Sequence, residues 1–440
     1  MKKFIGLILL LGISPGAWSQ DFNRAKLDSL FSLIEQYQKG MGSVSICRNG
    51  QEIYSRSFGW ADLEKGIRAA STTRYRIGSI SKSFTAVIIM QLIQEGKLNL
   101  DTKLAAYFPQ LPNADKITIE MLLRHRSGLY NFTNAADYVQ IMTKPASREE
   151  KLALFVKNGT VFQPDEKTQY SNTNFEVLGL IAEDIEKKIY TQIVEDRIIK
   201  PLGLKNTSHG GRIDPGKGDA LSYTKIQGWK PAPETDLSLA TGAGAIVSTP
   251  YDINVFYTRL FQGRLVADSS LQKMRKMKEN LGMGLMQSFY KNKKYQGHNG
   301  GIDGFQSRAA FFADDSLAVT YLSNAVEMNI NEIFNGLLSI YFGKDFELPV
   351  FTVETDSVSS DLGQYTGSYK CPNFPLEIDI TLKENQLIGQ ATGQGPFPLT
   401  PYALHKFKFE PSSLTLEFIP AGEKMILRQY GGTFEFTRKQ

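Results

Sequence analysis

The sequence predicts an α+β domain, an antiparallel sheet flanked by helices together with a helical region, and after it a small all-β barrel. Three observations point there. Strand patterns stand near residues 43–59 and 297–322, helical periodicity fills the interval between them, and beyond residue 359 apolar and polar residues alternate with almost no helix signal. A sheet assembled from chain-distant segments, with the intervening helices packed on it, satisfies the first two.

The elements follow in order. Residues 1–19 carry Lys2 and Lys3, an apolar run from Phe4 to Ile13, and Ala17-Trp18-Ser19, the layout of a secretory signal peptide cleaved after Ser19. The run is about half of the ~20 apolar residues that a spanning helix needs. No other stretch is long enough, and no cysteine follows the run to take a lipid. The mature chain is therefore expected to be exported, periplasmic or secreted, with no stable membrane span. Leu27, Leu30, Phe31 and Ile34 then form one face of an amphipathic helix. Ser43–Arg48 and Gln51–Gly59 flank Asn49-Gly50, the strongest short-range hairpin signal. Helical segments are expected near 82–94, 119–125, 174–187, 190–199 and 251–262. Strands return at Gln306–Phe312 and Leu317–Leu322 around the turn Asp314-Asp315, and a helix from Ile333 to Phe342 closes a first domain of residues 20–345. Residues 346–358 lose periodicity and read as a linker. In residues 359–440 the alternations Leu376, Ile378, Ile380, Leu382, then Leu414, Leu416, Phe418, then Phe434, Phe436 describe short half-buried strands.

Composition narrows the function. A chain of 440 residues with 42% hydrophobic and 22% charged content is an ordinary globular protein, long enough for more than one core. Its formal charge of +5 falls to +3 once Lys2 and Lys3 leave, and no dense basic run marks a nucleic-acid partner. Cys47 and Cys371 fall in different domains and are expected to be buried thiols rather than a pair. His125, His209, His298 and His405 are scattered without metal-ligand spacing, so neither a metal nor a cofactor is expected.

Four serine-lysine pairs share the S-x-x-K spacing: Ser79/Lys82, Ser222/Lys225, Ser270/Lys273 and Ser288/Lys291. A nucleophilic serine needs a base within reach, and positions i and i+3 of a helix share a face. The base must also lose its proton near neutral pH, which for lysine requires burial or a helix N-terminus to lower its pKa. Only Ser79/Lys82 opens a segment, Phe84 to Ile93, that is apolar on nearly every face and so buried. The other three pairs read as solvated surface.

The stretch RIGSISKSFTA at 76–86 resembles the active-site motif of the serine β-lactamase and penicillin-binding-protein superfamily, most closely the class C β-lactamase branch. Two further motifs of that family follow in order, Tyr170-Ser171-Asn172 and His298-Asn299-Gly300, while Tyr290-Lys291-Asn292 reads as a decoy in a lysine-rich loop. LLRHRSGL at 122–129, PLGLKNT at 201–207 and GAGAIVSTPYDI at 242–253 are also similar to family segments. The resemblance implies a β-lactamase/transpeptidase-like fold and a serine hydrolase. Ser79 would form the acyl-enzyme, Lys82 or Tyr170 would take its proton, and His298 would complete the catalytic set. Asn172, Asn299 and Gly300 would bind a small-molecule or peptide substrate, and the N–H groups of Ser79 and Gly301 would form the oxyanion hole. His298 stands where most relatives have a lysine that attracts a substrate carboxylate, which points toward ester, D-amino-acid or peptide substrates rather than efficient β-lactam hydrolysis. His125 is expected to be structural. The resemblance equally allows a DD-carboxypeptidase, a weak β-lactamase or a non-catalytic penicillin sensor, and residues 359–440 look like the lipocalin-like domain appended to many exported members.

Overall fold

The computed structural model describes residues 22–226, 228–351, 361–403, 405–429 and 432–439. The signal-peptide reading and most of the linker lie outside them. Helix α1, Arg24–Gln36, buries the expected face of Leu27, Leu30, Phe31 and Ile34. Strands β1, Gly40–Arg48, and β2, Gln51–Phe58, form the hairpin around Asn49-Gly50. Helix α2, Ser81–Gln94, comes next, then α3, Arg148–Asn158, α4, Asn172–Glu186, and α5, Pro250–Phe261. Strands β3, Met286–Tyr290, β4, Lys293–Ile302, β5, Phe305–Phe312, and β6, Leu317–Val326, lead into helix α6, Ile330–Tyr341. The antiparallel sheet has the order β3-β4-β5-β6-β1-β2, so the N-terminal hairpin completes a sheet whose other strands lie more than two hundred residues away.

Strand alternation divides the core. Ala309 and Phe311 face the helical region, while Ala310 and Phe312 face α1 and α6. Helix α2 runs through the larger cluster and is buried on every side from Ser81 to Met90, as a uniformly apolar helix requires. Phe84 on α2 stacks on Phe256 of α5 with ring centroids 3.9 Å apart and planes 6° apart. Residues 365–436 build a separate cluster inside a nine-stranded antiparallel sheet. The strands at its two ends, Phe397–Pro398 and Thr400–Ala403, are separated in the chain only by Leu399, so the sheet curls into a nearly closed barrel. No helix among the described residues is long and apolar enough to cross a membrane.

Several expectations need correction. Helix α3 has no counterpart in the periodicity reading, because its apolar residues, Leu152 to Val156, form one unbroken run instead of a helical spacing; its start is nevertheless written in Ser147 and Glu150, which form a reciprocal capping box. A further helix, Asp268–Arg275, and a short sheet of residues 75–76, 208–209 and 246–248 are also additions. Ser222 and Ser270 are buried, not solvated: Ser222 accepts the Gly304 N–H at 3.2 Å, and Ser270 sits on the inner face of its helix. The thiols are unpaired, yet only Cys47 is buried and Cys371 is half-buried. Leu382 is exposed at the end of its strand although Ile378 and Ile380 are buried.

Replacing Phe84 with Ala removes a fully buried ring that fixes α2 against α5. The expected cost is about 3–5 kcal/mol, read as a lowered midpoint in chemical denaturation.

Candidate active site

Ser79 is half-buried on a single 3-10 turn, Gly78–Ile80, that runs directly into α2. The turn presses against β4 closely enough to exclude side chains. Gly78 adopts φ 52°, and a Cβ there would stand 2.8 Å from the Gly301 nitrogen. A Cβ on Gly300 would stand 2.1 Å from the Ile77 oxygen and 3.0 Å from the Ser79 nitrogen. Ser307 on β5 closes the seam by donating to the Ile77 carbonyl at 2.9 Å. Glycine at 78 and 300 is therefore what lets the serine turn and the strand share one cleft.

Lys82 lies one helical turn beyond Ser79 and is completely buried. Its Nζ makes three contacts: Ser79 Oγ at 3.0 Å, Asn172 Oδ1 at 2.7 Å and the Ala243 carbonyl at 2.7 Å. The last two are acceptors only. A neutral amine can give them its two hydrogens and keep its lone pair for the Ser79 hydroxyl, which is the arrangement of a general base. Burial supplies the neutral form, lowering the Lys82 pKa from 10.5 to about 7.

Tyr170 approaches the same serine from the loop before α4. Burial pushes its phenol well above the ordinary tyrosine range, and a hydrogen bond with Ser79 offsets part of that rise. Of the two candidate bases, only the lysine loses its proton near neutral pH. Tyr170 is held between two histidines: its ring stacks on His125 with centroids 4.4 Å apart and lies 6.3 Å from His298. His125 Nδ1 accepts the Ser171 N–H at 3.1 Å, and burial followed by the Lys82 charge keeps the ring neutral. Its contacts are those of a positioning group, in line with the structural role expected of it.

His298 projects from β4 toward this cluster. Burial, then the Lys82 charge, lowers its pKa from 6.5 to about 3. Its Nδ1 lies 2.6 Å from the Asn299 carbonyl, which can only accept, so Nδ1 carries the proton and Nε2 presents a lone pair. The histidine is thus a neutral group throughout the physiological range, more fully so than its ordinary pKa implies.

The other expected residues divide. Asn172 takes part directly: its Oδ1 receives Lys82 while its Nδ2 donates to Thr133 Oγ1 at 3.0 Å. Gly300 and the exposed Gly301 border the serine turn. Asn299 does not present its side chain to Ser79. It pairs across the sheet with Arg308, whose guanidinium reaches Asn331 on α6, whereas Gly300 pairs with Ser307 on the Ser79 face. Period-two alternation turns Asn299 to the far side and leaves only its backbone at the cleft. Tyr290, the decoy, is buried against α6 with its hydroxyl on Ser339 at 2.8 Å. The sequence reading missed Thr133, which carries no motif, and the Ala243 carbonyl, although GAGAIVSTPYDI had marked that segment.

A model of the family described as Beta-lactamase matches residues 30–333. The chain belongs to the β-lactamase family. Protein flp of Staphylococcus aureus strain MW2 is 32% identical over 216 residues, 47% of this chain and 43% of flp, so the chain spans less than half the length of that relative. Penicillin-binding protein 4* of Bacillus subtilis strain 168 is 24% identical over 446 residues, covering 94% of this chain and 98% of that protein. Among solved structures, D-amino acid amidase from Ochrobactrum anthropi SV3 complexed with D-phenylalanine is 26% identical, covers 72% of this chain and 99% of its own, and superposes with a TM-score of 0.65. The matched span contains Ser79, Tyr170 and His298. The matched span stops before the barrel, so the barrel lies outside the family model.

The pH dependence follows from Lys82. Its amine is charged below about 7 and neutral above it, so the rate of acylation by an active-site-directed fluorophosphonate should rise with pH along a limb centred near 7. Lys82→Arg, which cannot deprotonate, should slow labelling by about 10²-fold or more; mass spectrometry of the adduct as a function of time measures both.

Proposed function

We propose that this chain is an exported serine hydrolase that cleaves an amide or ester through an acyl-enzyme on Ser79. The observation that carries the reading is the buried Lys82 amine, 3.0 Å from the Ser79 oxygen and able to be neutral near pH 7. A binding protein places no demand on such an amine, which disfavours a silent penicillin sensor.

In the proposed reaction Lys82 takes the Ser79 proton as Oγ bonds to the substrate carbonyl carbon. The backbone N–H groups of Ser79 and Gly301 hold the carbonyl oxygen as it becomes an oxyanion. The proton then passes through Lys82, with the protonated Tyr170 hydroxyl as relay, to the departing amine or alcohol, and the bond from carbon to that leaving group breaks. Water reverses the sequence: it gives a proton to the same groups, attacks the ester carbon and releases Ser79. No cofactor enters. Asn172 anchors Lys82 and stands beside the path of the substrate amide.

Substrate class turns on His298. A neutral imidazole provides no fixed positive charge for a carboxylate, so the reading favours a small peptide, a D-amino-acid derivative or an acyl ester over a β-lactam. A DD-carboxypeptidase or weak β-lactamase is the alternative; both substrates carry a carboxylate that this site would have to hold by hydrogen bonds alone. The likeness to a D-amino acid amidase supports the first choice. Export rests on the layout of residues 1–19.

A panel of nitrocefin, D-Ala-D-Ala peptides, D-amino-acid amides and short p-nitrophenyl esters tests the reading. Ester or D-amino-acid turnover is expected to exceed nitrocefin turnover, and Ser79→Ala should abolish both turnover and fluorophosphonate labelling. Fast nitrocefin hydrolysis would sink the reading of His298, and an adduct at any other residue would sink the mechanism.

A further inference from the structure

Behind the Lys82 amine lies an ion pair that the reaction itself does not use. Glu176 on α4 is fully buried and Lys151 on α3 nearly so, with Nζ 3.2 Å from Oε2. The α4 residues that flank Glu176, Phe175 and Val177 to Leu180, are apolar and buried, and Thr173 and Asn174 are buried with them. A pair at this depth bears a desolvation cost that its own attraction barely repays, and apolar residues of the same size often serve stability as well or better. Its position suggests another use.

The other oxygen of Glu176 accepts the Ala243 N–H at 3.0 Å. Ala243 is the residue whose carbonyl receives Lys82. The turn that carries it, Thr241–Gly244, reads Thr-Gly-Ala-Gly and has almost no side-chain bulk with which to hold itself. It lies directly on α4, since a Cβ on Gly242 would stand 2.3 Å from the Phe175 oxygen. Hydrogen bonds must therefore set its orientation. Lys151 Nζ also donates to Thr241 Oγ1 at 3.2 Å, and Thr85 on α2 donates to the Gly242 carbonyl at 2.6 Å.

We propose that Glu176, held in place by Lys151, is a positioning residue for Lys82: by gripping the Ala243 N–H it aims the Ala243 carbonyl at the Lys82 amine and so fixes that amine on Ser79. This rests on the serine-hydrolase reading given above. The ionisable groups around the amine are Tyr170 from the loop before α4, His125 from the segment after the 119–123 helix, His298 from β4 and Glu176 itself. The first three are neutral at working pH. Glu176 is the one carboxyl among the four: burial pushes its pKa up, Lys151 and the Ala243 N–H oppose that rise, and its ionised form opposes the loss of the Lys82 proton. Tyr138 and Tyr190 feel the same carboxylate, and His209 faces Lys151.

The test compares Glu176→Gln, Glu176→Leu and the double variant Glu176→Gln/Lys151→Met with the native chain. Each is followed by fluorophosphonate labelling at Ser79 across pH and by thermal unfolding. Removing the carboxylate should move the ascending limb to lower pH by about half a unit or more in Glu176→Gln. Glu176→Leu, which also loses the side-chain acceptor for the Ala243 N–H and leaves it only the Ala240 carbonyl at 3.1 Å, should lower the plateau rate by about tenfold or more, and glutamine should largely restore it. If Glu176→Gln leaves a buried lysine that prevents folding, the double variant carries neither charge and is expected to show the same direction of shift. Altered unfolding temperatures with a native limb and a native plateau would assign the pair to stability alone and overturn the inference. Failure of the native chain to label at Ser79 would overturn the hydrolase reading and this inference with it.

Discussion

A lysine serves as a base at neutral pH only when its charged form is disfavoured, and here the means is withdrawal from water, around which the structure near α2 is arranged. The fall of Lys82 from 10.5 to about 7 corresponds to roughly 5 kcal/mol of disfavoured charge. That penalty comes from burial beside a helix enclosed on all sides; the faces of Tyr170 and Phe175, 5.0 and 5.8 Å from Nζ, exclude water while returning a smaller attraction to the charge. It is tolerable because the amine keeps two acceptors, Asn172 and Ala243, whichever form it takes. A buried amine without them would be an unsatisfied donor.

The second constraint is the narrow seam between the serine turn and β4. Glycines let the two backbones meet, and a buried arginine ties their flanks. Arg76, three residues before Ser79, reaches Asp303 just beyond Gly301 at 2.8 Å, and also Glu234 and the carbonyls of Thr235 and Gly211. Asp303 in turn accepts the Thr235 N–H at 2.9 Å. The segments on both sides of the cleft are thereby joined through one guanidinium, so Ser79 and Gly301 keep their spacing without a side chain between them. The same crowding withdraws His298 from solvent and keeps it neutral, so the geometry that positions the nucleophile also disfavours carboxylate recognition.

What could be read in advance was whatever depends on local pattern. The face of α1, the Asn49-Gly50 hairpin, the uniform burial of α2 and the alternation in the barrel all follow from spacing along the chain, because helix and strand periods are properties of the backbone. The choice of Ser79/Lys82 among four equal spacings rested on the same information: only that pair leads into a segment apolar all round. The capping box at Ser147 and Glu150 is equally local, while the unbroken apolar run Leu152 to Val156 that follows it carries no helical period. Ser222 and Ser270, by contrast, gave no sign of their burial, since a polar residue in a polar stretch is buried only if a distant segment folds over it.

The sequence by itself determined many of the longer helices and strands, the order of the three motifs and the pairing of a serine with a lysine one helical turn away. Tertiary structure alone decided which face of β4 meets Ser79, turning Asn299 away and His298 inward. It also decided that the Ala243 carbonyl reaches Lys82, and Glu176 the Ala243 N–H, from segments far apart in the chain. The reason is physical. Periodicity fixes which residues share a face, whereas a pKa depends on every group that surrounds the charge, and those groups are gathered only when the chain folds.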